Sequence, residues 1–337
     1  MDRRAFLSSA TAAFLAAPLA AGAQPAGPAG PAGKIWRIGV IGFAPTTADM
    51  AGPDPPYPFI KALLDGLRER GYVYGRHFVT EPRGAEGRAD RFPRLVDELV
   101  HLPVDVIVPA AAALPALKRA TSTIPVVVPG VADPVGAGYA GSLARPGGNF
   151  TGLSLPFLEL VVRRLDLLKE LVPFAAPIAV MWDQAVPQVW DVLETAARER
   201  RWKLLSLPIR DVGQAQEAVR AAAKARAGGL LVTAGAAFDP QPRRIVEPVA
   251  KYRLPAMYHQ RSYVQVGGLL SYGPDLVAIW RAAAAFVDRI LKGAKPGDLS
   301  FEPPTKIDLV INLKTAQALE LTIPGSLLRR ADQVIER

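Results

Sequence analysis

Residues suited to catalysis are few and widely separated in this sequence of 337 residues. Cysteine is absent, which excludes a disulfide scaffold, a thiolate metal site, a cysteine nucleophile and a CxxC redox centre. His77, His101 and His259 form neither an HExxH motif nor a His-x-His pair, and no Gly-x-Ser-x-Gly elbow occurs. We therefore expect a protein that is not an enzyme and that needs neither a metal ion nor another cofactor.

Residues suited to binding follow the apolar, β-branched runs of the sequence. Ligands of open α/β sheets bind beyond the carboxyl ends of the strands, so the residues just after each run are candidates. The candidate ligand-binding residues at these positions are Phe43, Pro45, Ala110, Ala111, Ala112, Asp133, Asp183, Ala234, Phe238, Tyr258 and Tyr272.

The alanines and the aspartates among these candidates offer different polar contacts. Ala110–Ala112 would let a ligand approach the backbone, and the first N–H groups of the following helix would attract an anionic group. Asp183 would bind an amine or a hydroxyl group. The alternatives are a plain strand-to-helix loop for the alanines, and a turn for Asp183 and for Asp133, which precedes Pro134.

Four of the candidates are aromatic: Phe43, Phe238, Tyr258 and Tyr272. Together they would form a cage around a planar or apolar ligand, although each taken alone is better explained as a core residue. His259 would be able to hydrogen-bond such a ligand, but we expect it at the surface.

The candidate residues lie at strand ends only if strands and helices alternate regularly along the chain, and the sequence predicts this alternation. Ile35–Phe43 and Val104–Pro109 are short, nearly continuous apolar runs, as expected for strands buried on both faces of a parallel sheet. Between them, Pro58–Arg70 has apolar residues at helical spacing and is closed by Gly71. The pattern restarts after Thr151–Leu155, so we predict an α/β fold with two successive lobes of right-handed βαβ units.

The C-terminal part does not fit a simple succession of two lobes. Gly267–Ser271 is predicted as a strand, Asp275–Leu291 as a long helix, and Ser300–Glu302 and Ile307–Ile311 as extended segments. Such segments are expected where the chain crosses back between the lobes and completes each sheet.

No GxGxxG follows the first strand and no GxxxxGK[ST] is present, so a nucleotide is not indicated.

Residues 1–23 have the organisation of an export signal peptide. Arg3-Arg4 precedes an Ala/Leu-rich stretch, and Ala21-Gly22-Ala23 provides a small-x-small cleavage site. The adjacent arginines favour the twin-arginine route to the periplasm, and an ordinary Sec signal is the alternative. Residues 24–33 are predicted to be a flexible Pro/Ala/Gly linker, and no later apolar run reaches the roughly 18 residues needed to span a bilayer.

The formal net charge of +9 does not point to a nucleic acid as the partner. The arginines of residues 68–94 are scattered, and most of them stand beside acidic residues such as Glu69, Glu81 and Asp90. No basic stripe interleaved with aromatic residues is present, so we predict a solvated face of mixed charge.

Several segments together resemble the ABC transporter substrate-binding family, in the branch of the tryptophan- and tyrosine-binding proteins. Residues 57–72 (YPFIKALLDGLRERGY) are similar to the first helix of that family. The other similar segments are 118–125 (KRATSTIP), 133–136 (DPVG), 142–149 (SLARPGGN), 267–274 (GGLLSYGP) and 312–316 (NLKTA). The similarity extends from about residue 34 to residue 336, and the segments are specific when taken together.

The resemblance implies a type I periplasmic-binding-protein fold, in which two Rossmann-like lobes with parallel sheets are joined by three hinge crossings. The expected lobes are residues 34–152 with about 274–303, and residues 153–273 with about 304–337. A small organic solute, such as an amino acid or an aromatic compound, is expected in the cleft between the lobes. The other expected partners are a membrane permease and its ATPase, and the protein itself is expected to be a monomer.

Two of the candidate sites depart from the pattern of the family. Relatives commonly place hydroxyl or polar residues where this chain has Ala110–Ala112, and many carry asparagine where it has Asp183. The alanines weaken the case for an amino acid as the ligand, and the added charge favours a different solute. A sensory receptor of the same fold is a second hypothesis, and an exported α/β hydrolase is a third.

Replacing Arg3 and Arg4 together by lysine should block twin-arginine export, because that route recognises the arginine pair. We expect the precursor to stay in the cytoplasm and to fold there, which immunoblotting of cell fractions would show. Arrival of the double variant in the periplasm at the normal level would indicate the Sec route instead.

Overall fold

Two sheets of mostly parallel strands organise the protein, and helices cover both faces of each sheet. The computed structural model describes residues 34–172, 176–235, 241–304 and 306–336, and the elements given below are those of this part of the chain. The predicted α/β fold with two lobes is confirmed. None of the helices in these residues is long and apolar enough to cross a membrane.

The N-terminal lobe is built on the first sheet, whose strands are all parallel. In the described residues these strands are β1 (Trp36–Gly42), β2 (Phe78–Gly84), β3 (Val106–Pro109), β4 (Val126–Ala132) and β5 (Phe150–Leu155). Their order across the sheet is β2-β1-β3-β4-β5. The helices between them are α1 (Pro58–Arg68), α2 (Phe92–Val100) and α3 (Leu114–Ala120).

The C-terminal lobe is built on the second sheet. Its strands are β6 (Ile178–Asp183), β7 (Leu204–Ile209), β8 (Gly229–Val232), β9 (Ala256–Tyr258), β10 (Leu270–Pro274), β11 (Ile307–Asn312) and β12 (Gln333–Ile335). Their order in the described chain is β12-β11-β10-β9-β8-β6-β7. The later helices are α4 (Phe157–Leu171), α5 (Gln188–Glu199), α6 (Ala215–Lys224), α7 (Arg243–Lys251), α8 (Arg261–Gln265), α9 (Leu276–Leu291), α10 (Leu313–Ala318) and α11 (Gly325–Arg330).

Both sheets repeat one doubly wound arrangement. The strands β7-β6-β8-β9-β10 follow the same order as β2-β1-β3-β4-β5. In such sheets the connection after the first strand and the connection after the third strand run to opposite sides. This leaves a crevice between them, at the carboxyl ends of those two strands. Each lobe therefore presents a crevice, beside β1 and β3 in one lobe and beside β6 and β8 in the other.

Apolar helix faces bury both sides of each sheet. In the N-terminal lobe, α1 and α9 cover one face, and α2 and α3 cover the other. In the C-terminal lobe, α6 and α7 cover one face, and α4, α5, α10 and α11 cover the other. Strands such as β3 are buried on both faces, so their sequences are continuous apolar runs rather than alternating ones.

The chain passes between the lobes after β5, after β10 and again before β11. Helix α9 follows β10 but packs against α1 in the N-terminal lobe. Beyond α9, Glu302 pairs with Leu153 of the first sheet before the chain enters β11. These passages are the crossings that the family resemblance implies.

The C-terminal part differs from expectation in three respects. Strand β11 runs antiparallel to β10, with Pro274 opposite Ile307, because the chain re-enters the second sheet at the end where β10 leaves it. Ser300–Glu302 forms no strand, and Glu302 makes an isolated bridge instead. The elements α8, α10, α11 and β12 are absent from the predicted pattern, because they are too short to show an apolar period.

Gly66 lies where α1 packs against α9, and a methyl group has no room there. An ideal Cβ would lie 2.5 Å from the Arg281 carbonyl oxygen and 2.8 Å from the Ala284 Cβ. Alanine favours a helix over glycine by about 1 kcal/mol, but a clash with backbone should outweigh that gain. We expect Gly66→Ala to lower the free energy of unfolding by about 1–3 kcal/mol in urea denaturation.

Gly148→Ala is the matched control, because a Cβ at Gly148 meets no atom within 4 Å. Its free energy of unfolding should change by no more than about 0.5 kcal/mol. Wild-type stability of the Gly66 variant would contradict the close packing of the two helices.

Candidate functional site

A cavity of about 600 Å³ lies between the two lobes at the carboxyl ends of their strands. Residues at the carboxyl ends of β1, β3, β4 and β5, or just after these ends, line it from the N-terminal lobe. Residues at or just after the ends of β8, β9 and β10 line it from the C-terminal lobe. Helices α1, α4 and α9 contribute residues from their N-terminal halves. We call this cavity the cleft, and its volume is within the range of pockets that bind small organic molecules.

Aromatic side chains form the wall of the cleft on the N-terminal lobe. Tyr57 and Phe59 at the start of α1 meet edge to face, with ring centroids 5.2 Å apart. Phe59 stacks in turn on Trp280 of α9, with centroids 6.0 Å apart and an angle of 9° between the rings. Phe43, just after β1, adds a further ring. Because aromatic rings pack favourably in stacked and edge-to-face pairs, this wall suits a flat, apolar group.

The residues after β3 border the cleft as a row of small side chains. Ala110–Ala112 line it, and Ala111–Ala113 form a 3-10 turn ahead of α3. The Ala110 N–H donates to the Ile41 carbonyl at 2.7 Å, and the Ala113 N–H donates to the Ala110 carbonyl at 3.0 Å. These two donors are used within the fold, and an anion at the other N–H groups of this turn stays a prediction.

A buried arginine stands on the opposite wall of the cleft. Arg164 of α4 is only 2% exposed and lines the cleft together with Leu160, one turn earlier. Its Nε donates to the Tyr272 carbonyl oxygen of β10 at 2.5 Å. Gly273 gives the guanidinium room, since an ideal Cβ there would lie 3.5 Å from Arg164 Nη2 and 2.0 Å from the His259 carbonyl oxygen. The fold thus places a cation in an otherwise largely apolar cleft.

His259, Gln260 and Ser262 complete the polar wall on the C-terminal lobe. His259 is 3% exposed, and its ring centroid lies 5.1 Å from that of Tyr263. The expectation of a surface histidine is therefore wrong. The chain turns from β9 directly into α8, and this turn brings all three side chains to the cleft.

The electrostatic character of the cleft follows from these residues. Arg164 is the one lysine or arginine among the described residues of the lining, and these described residues include no aspartate or glutamate. Burial raises the pKa of Tyr57 to about 12, so this phenol stays neutral at physiological pH and can donate a hydrogen bond. No cluster of three or more His, Asp or Glu that could hold a metal ion is found in the described chain.

Several residues predicted from the sequence border the cleft. They are Phe43, Ala110, Ala111, Ala112 and Ala234. Each follows a strand, as expected for a doubly wound sheet, and a ligand contact at each of them stays a prediction. Phe238 lies outside the described residues.

Pro45 and Asp133 lie away from the cleft lining. Pro45 is buried near the ends of β1 and β2, where its carbonyl accepts a hydrogen bond from the Glu86 N–H at 3.2 Å. Asp133 is exposed and accepts a hydrogen bond from the Gly136 N–H at 2.8 Å. This is the turn role that the sequence offered as its alternative, because a short carboxylate readily caps nearby backbone N–H groups.

Asp183 is not among the residues that line the cleft either. It ends β6, is 5% exposed, and accepts a hydrogen bond from the Ala185 N–H at 2.9 Å. The Asp183 carbonyl accepts a second one from the Val186 N–H at 2.9 Å. Backbone donors of its own turn therefore hold this residue, which is the alternative to a ligand contact.

Tyr258 and Tyr272 belong to the core of the C-terminal lobe. Tyr258 is fully buried, and its ring stacks on Tyr263 with centroids 4.9 Å apart. Successive side chains of a strand point to opposite sides, so the next residue, His259, takes the cleft position. The Tyr272 ring packs into the core beside α4, and its carbonyl binds Arg164.

The residues that helices supply to the cleft are missed when strand ends alone are searched. The aromatic wall comes mainly from the starts of α1 and α9. Helix α1 begins 16 residues after β1 ends, and Trp280 lies more than one turn into α9, so neither residue directly follows a strand. Arg164 does carry a signal in the sequence. It lies four residues after Leu160 and four before Leu168, on the apolar face of a helix where a charged residue is unexpected.

Comparison with known proteins connects this architecture to one family. The family described as ABC transporter substrate binding protein matches residues 54–335 of the chain. A tyrosine-binding protein of Clostridioides difficile (strain R20291) is 25% identical over 267 residues, which cover 77% of this chain and 76% of that protein.

Two solved structures are similar over most of the chain. A conserved domain protein from Vibrio cholerae has a TM-score of 0.79 at 28% identity, covering 89% of this chain and 100% of that one. An ABC domain in complex with L-Trp from Streptococcus pneumonia has a TM-score of 0.78 at 26% identity, covering 90% of this chain and 100% of that one. The name of the first relative describes tyrosine binding, and the second structure contains L-Trp.

Asp183→Ala should destabilise the protein, because the Ala185 N–H loses its charged acceptor, the buried Asp183 carboxylate. We expect the free energy of unfolding to fall by about 1.5–3 kcal/mol in urea denaturation. Asp97→Ala, at an exposed position of α2, is the control and should change it by no more than about 0.5 kcal/mol. Equal stability of the two variants would show that the turn after β6 does not depend on the carboxylate.

Proposed function

Because the chain belongs to the ABC transporter substrate-binding protein family, we propose that it captures a small organic solute between its lobes and delivers it to a membrane permease powered by a separate ATPase. Its fold is the type I periplasmic-binding fold that the sequence predicts. The observation that carries the proposal is the cleft itself, a cavity of about 600 Å³ with walls from both lobes.

A ligand in this cleft would stabilise a closed arrangement of the lobes. Trp280 and Phe43 approach it from one lobe, and Arg164 and His259 approach it from the other. A solute that contacts both walls binds best when the walls are close, so it shifts the population towards closure. In this proposal, closure is the state that a permease recognises.

The moving bodies in this proposal are the lobes expected from the sequence, residues 34–152 with about 274–303 and residues 153–273 with about 304–337. The packing of α9 on α1 and the pairing of β11 with β10 support this division. Strand β5 runs to Leu155 in the first sheet, so the flexible point of the first crossing lies just beyond that residue.

We further propose that the protein acts in the periplasm as a monomer and releases its solute chemically unchanged. The export signal predicted in residues 1–23, which lie outside the described residues, and the family membership support the location. Membership of a substrate-binding protein family, with relatives named for binding tyrosine or solved with L-Trp, supports a role without catalysis. In this proposal the direction of transport is import.

A screen of amino acids, aromatic acids, amides and short-chain acids by thermal shift should reveal a stabilising solute. At about 100 times its dissociation constant, a ligand stabilises the native state by about 2.7 kcal/mol. For each hit, small-angle X-ray scattering should show a smaller radius of gyration with the compound than without it. Mass spectrometry should recover the compound unchanged.

Ala111→Trp should abolish both effects, because Ala111 borders the cleft and an indole would occupy the space of the solute. Ala120→Trp is the matched control, since Ala120 is exposed at the far end of α3 and should leave both effects intact. The proposal fails if stabilising compounds leave the radius of gyration unchanged, or if a bound compound is converted to a product.

A further inference from the structure

We propose that Arg261 and Asp275 are positioning residues for solute capture, because their ion pair links the two lobes beside the cleft and favours the closed arrangement. This inference rests on the proposed function, since it names how closure of the same cleft is controlled. Arg261 Nη2 lies 3.5 Å from Asp275 Oδ2.

The ion pair joins two segments that line the cleft. The residues on either side of Arg261 in the sequence, Gln260 and Ser262, belong to the wall of the C-terminal lobe. The residues on either side of Asp275 line the cleft as well. The pair therefore holds together the points at which α8 and α9 begin, and both points border the space of the solute.

Arg261 is fixed to the C-terminal lobe by a second carboxylate. Its Nη2 also donates to Asp308 Oδ2 of β11 at 2.8 Å. The Asp308 side chain is buried, and a buried carboxylate is favourable only with cations or hydrogen-bond donors around it. Lys306 supplies a further cation, with its Nζ 3.0 Å from Asp308 Oδ1. The guanidinium of Arg261 therefore stays with β11 when the lobes move.

Asp275 is fixed to the N-terminal lobe because it caps α9. Its Oδ1 accepts hydrogen bonds from the Val277 N–H at 2.9 Å and from the Ala278 N–H at 3.1 Å. These bonds hold the carboxylate at the first turn of α9, the helix that packs against α1. The other oxygen, Oδ2, is the one near Arg261. The two partners of the pair thus belong to different moving bodies.

An ion pair of this kind can shift the equilibrium between open and closed lobes. Each side chain is already oriented by its own lobe, so little conformational entropy is lost when the two meet. Both side chains are partly exposed, and such pairs change an equilibrium constant by about two- to fivefold. A rotation that parts the two lining segments separates the charges, so the pair favours closure before a solute is bound.

Asp275→Asn removes the charge and keeps the cap. Asparagine caps helices as well as aspartate does, so α9 should still begin at this residue while the pair with Arg261 is lost. Asp65→Asn is the matched control. Asp65 Oδ2 lies 3.6 Å from Arg281 Nη2, and the two side chains are about as exposed as those of the first pair, but both belong to the N-terminal lobe.

The separation of the lobes can be measured without a solute. The chain has no cysteine, so Ala89→Cys and Gln216→Cys provide two unique sites for spin labels. Both residues are exposed and follow the edge strands β2 and β7, on the side of each sheet away from the crossings at β5 and β10. Opening of the lobes should therefore lengthen the distance between the labels, which pulsed EPR measures.

In the labelled mature protein, Asp275→Asn should lower the ratio of the short-distance to the long-distance population by about two- to fivefold. Asp65→Asn should leave this ratio unchanged. Arg261→Lys keeps a cation beside Asp308 but loses the guanidinium whose Nη2 meets both carboxylates, so it should give a similar shift. Adding Asp275→Asn to Arg261→Lys should give no further shift, because both changes remove the same pair.

The outcomes separate this inference from the proposed function. An unchanged distance distribution in Asp275→Asn would overturn the inference, as would an equal shift in Asp65→Asn or additive shifts in the double variant. Each of these results leaves solute capture intact if a compound of the screen still closes the lobes. Absence of any such compound would instead overturn solute capture, whatever the distances between the labels.

Discussion

The antiparallel pairing of β10 with β11 determines how the two lobes are joined. Pro274 stands opposite Ile307, so the strand that leaves the second sheet and the strand that re-enters it meet at the same end of that sheet. The first sheet likewise releases the chain at the carboxyl end of β5. Each passage between the lobes is therefore beside the cleft, and the carboxyl ends of both sheets face it. Doubly wound sheets bind ligands at those ends, so the connection of the lobes also determines where a solute can lie.

The hydrogen bond from Arg164 to the Tyr272 carbonyl ties this connection to the chemistry of the cleft. Helix α4 is the first element after one crossing, and β10 is the last element before the next. Burying a guanidinium at their junction is favourable only with acceptors around it, and one of these is the backbone of the hinge strand. The aromatic wall has a similar origin, since α9 returns to the N-terminal lobe and brings Trp280 onto Phe59.

Reasoning from strand ends identified residues that border the cleft where a loop directly follows a strand at the crevice. Phe43 and Ala110–Ala112 follow β1 and β3, the strands between which the sheet reverses its order, and all of them border the cleft. The same reasoning failed for Tyr258 because the alternation of side chains gives the cleft position to the next residue. A ligand contact of Asp183 stays a prediction, and in the structure its carboxylate accepts a hydrogen bond from the Ala185 N–H of the turn.

The sequence by itself determined the α/β class, the division into two lobes, the family and the lack of common catalytic motifs, because these follow from local periodicity and short motifs. The spacing of apolar residues predicts which residues are buried. It predicts burial for Arg164 as well, because this residue lies at the centre of the apolar face of α4. The spacing does not predict which of the buried residues face the cleft between the two lobes. That depends on pairings between distant segments, such as β10 with β11 and α1 with α9. Only the tertiary structure therefore decided that one wall of the cleft is aromatic and that the other carries a buried cation.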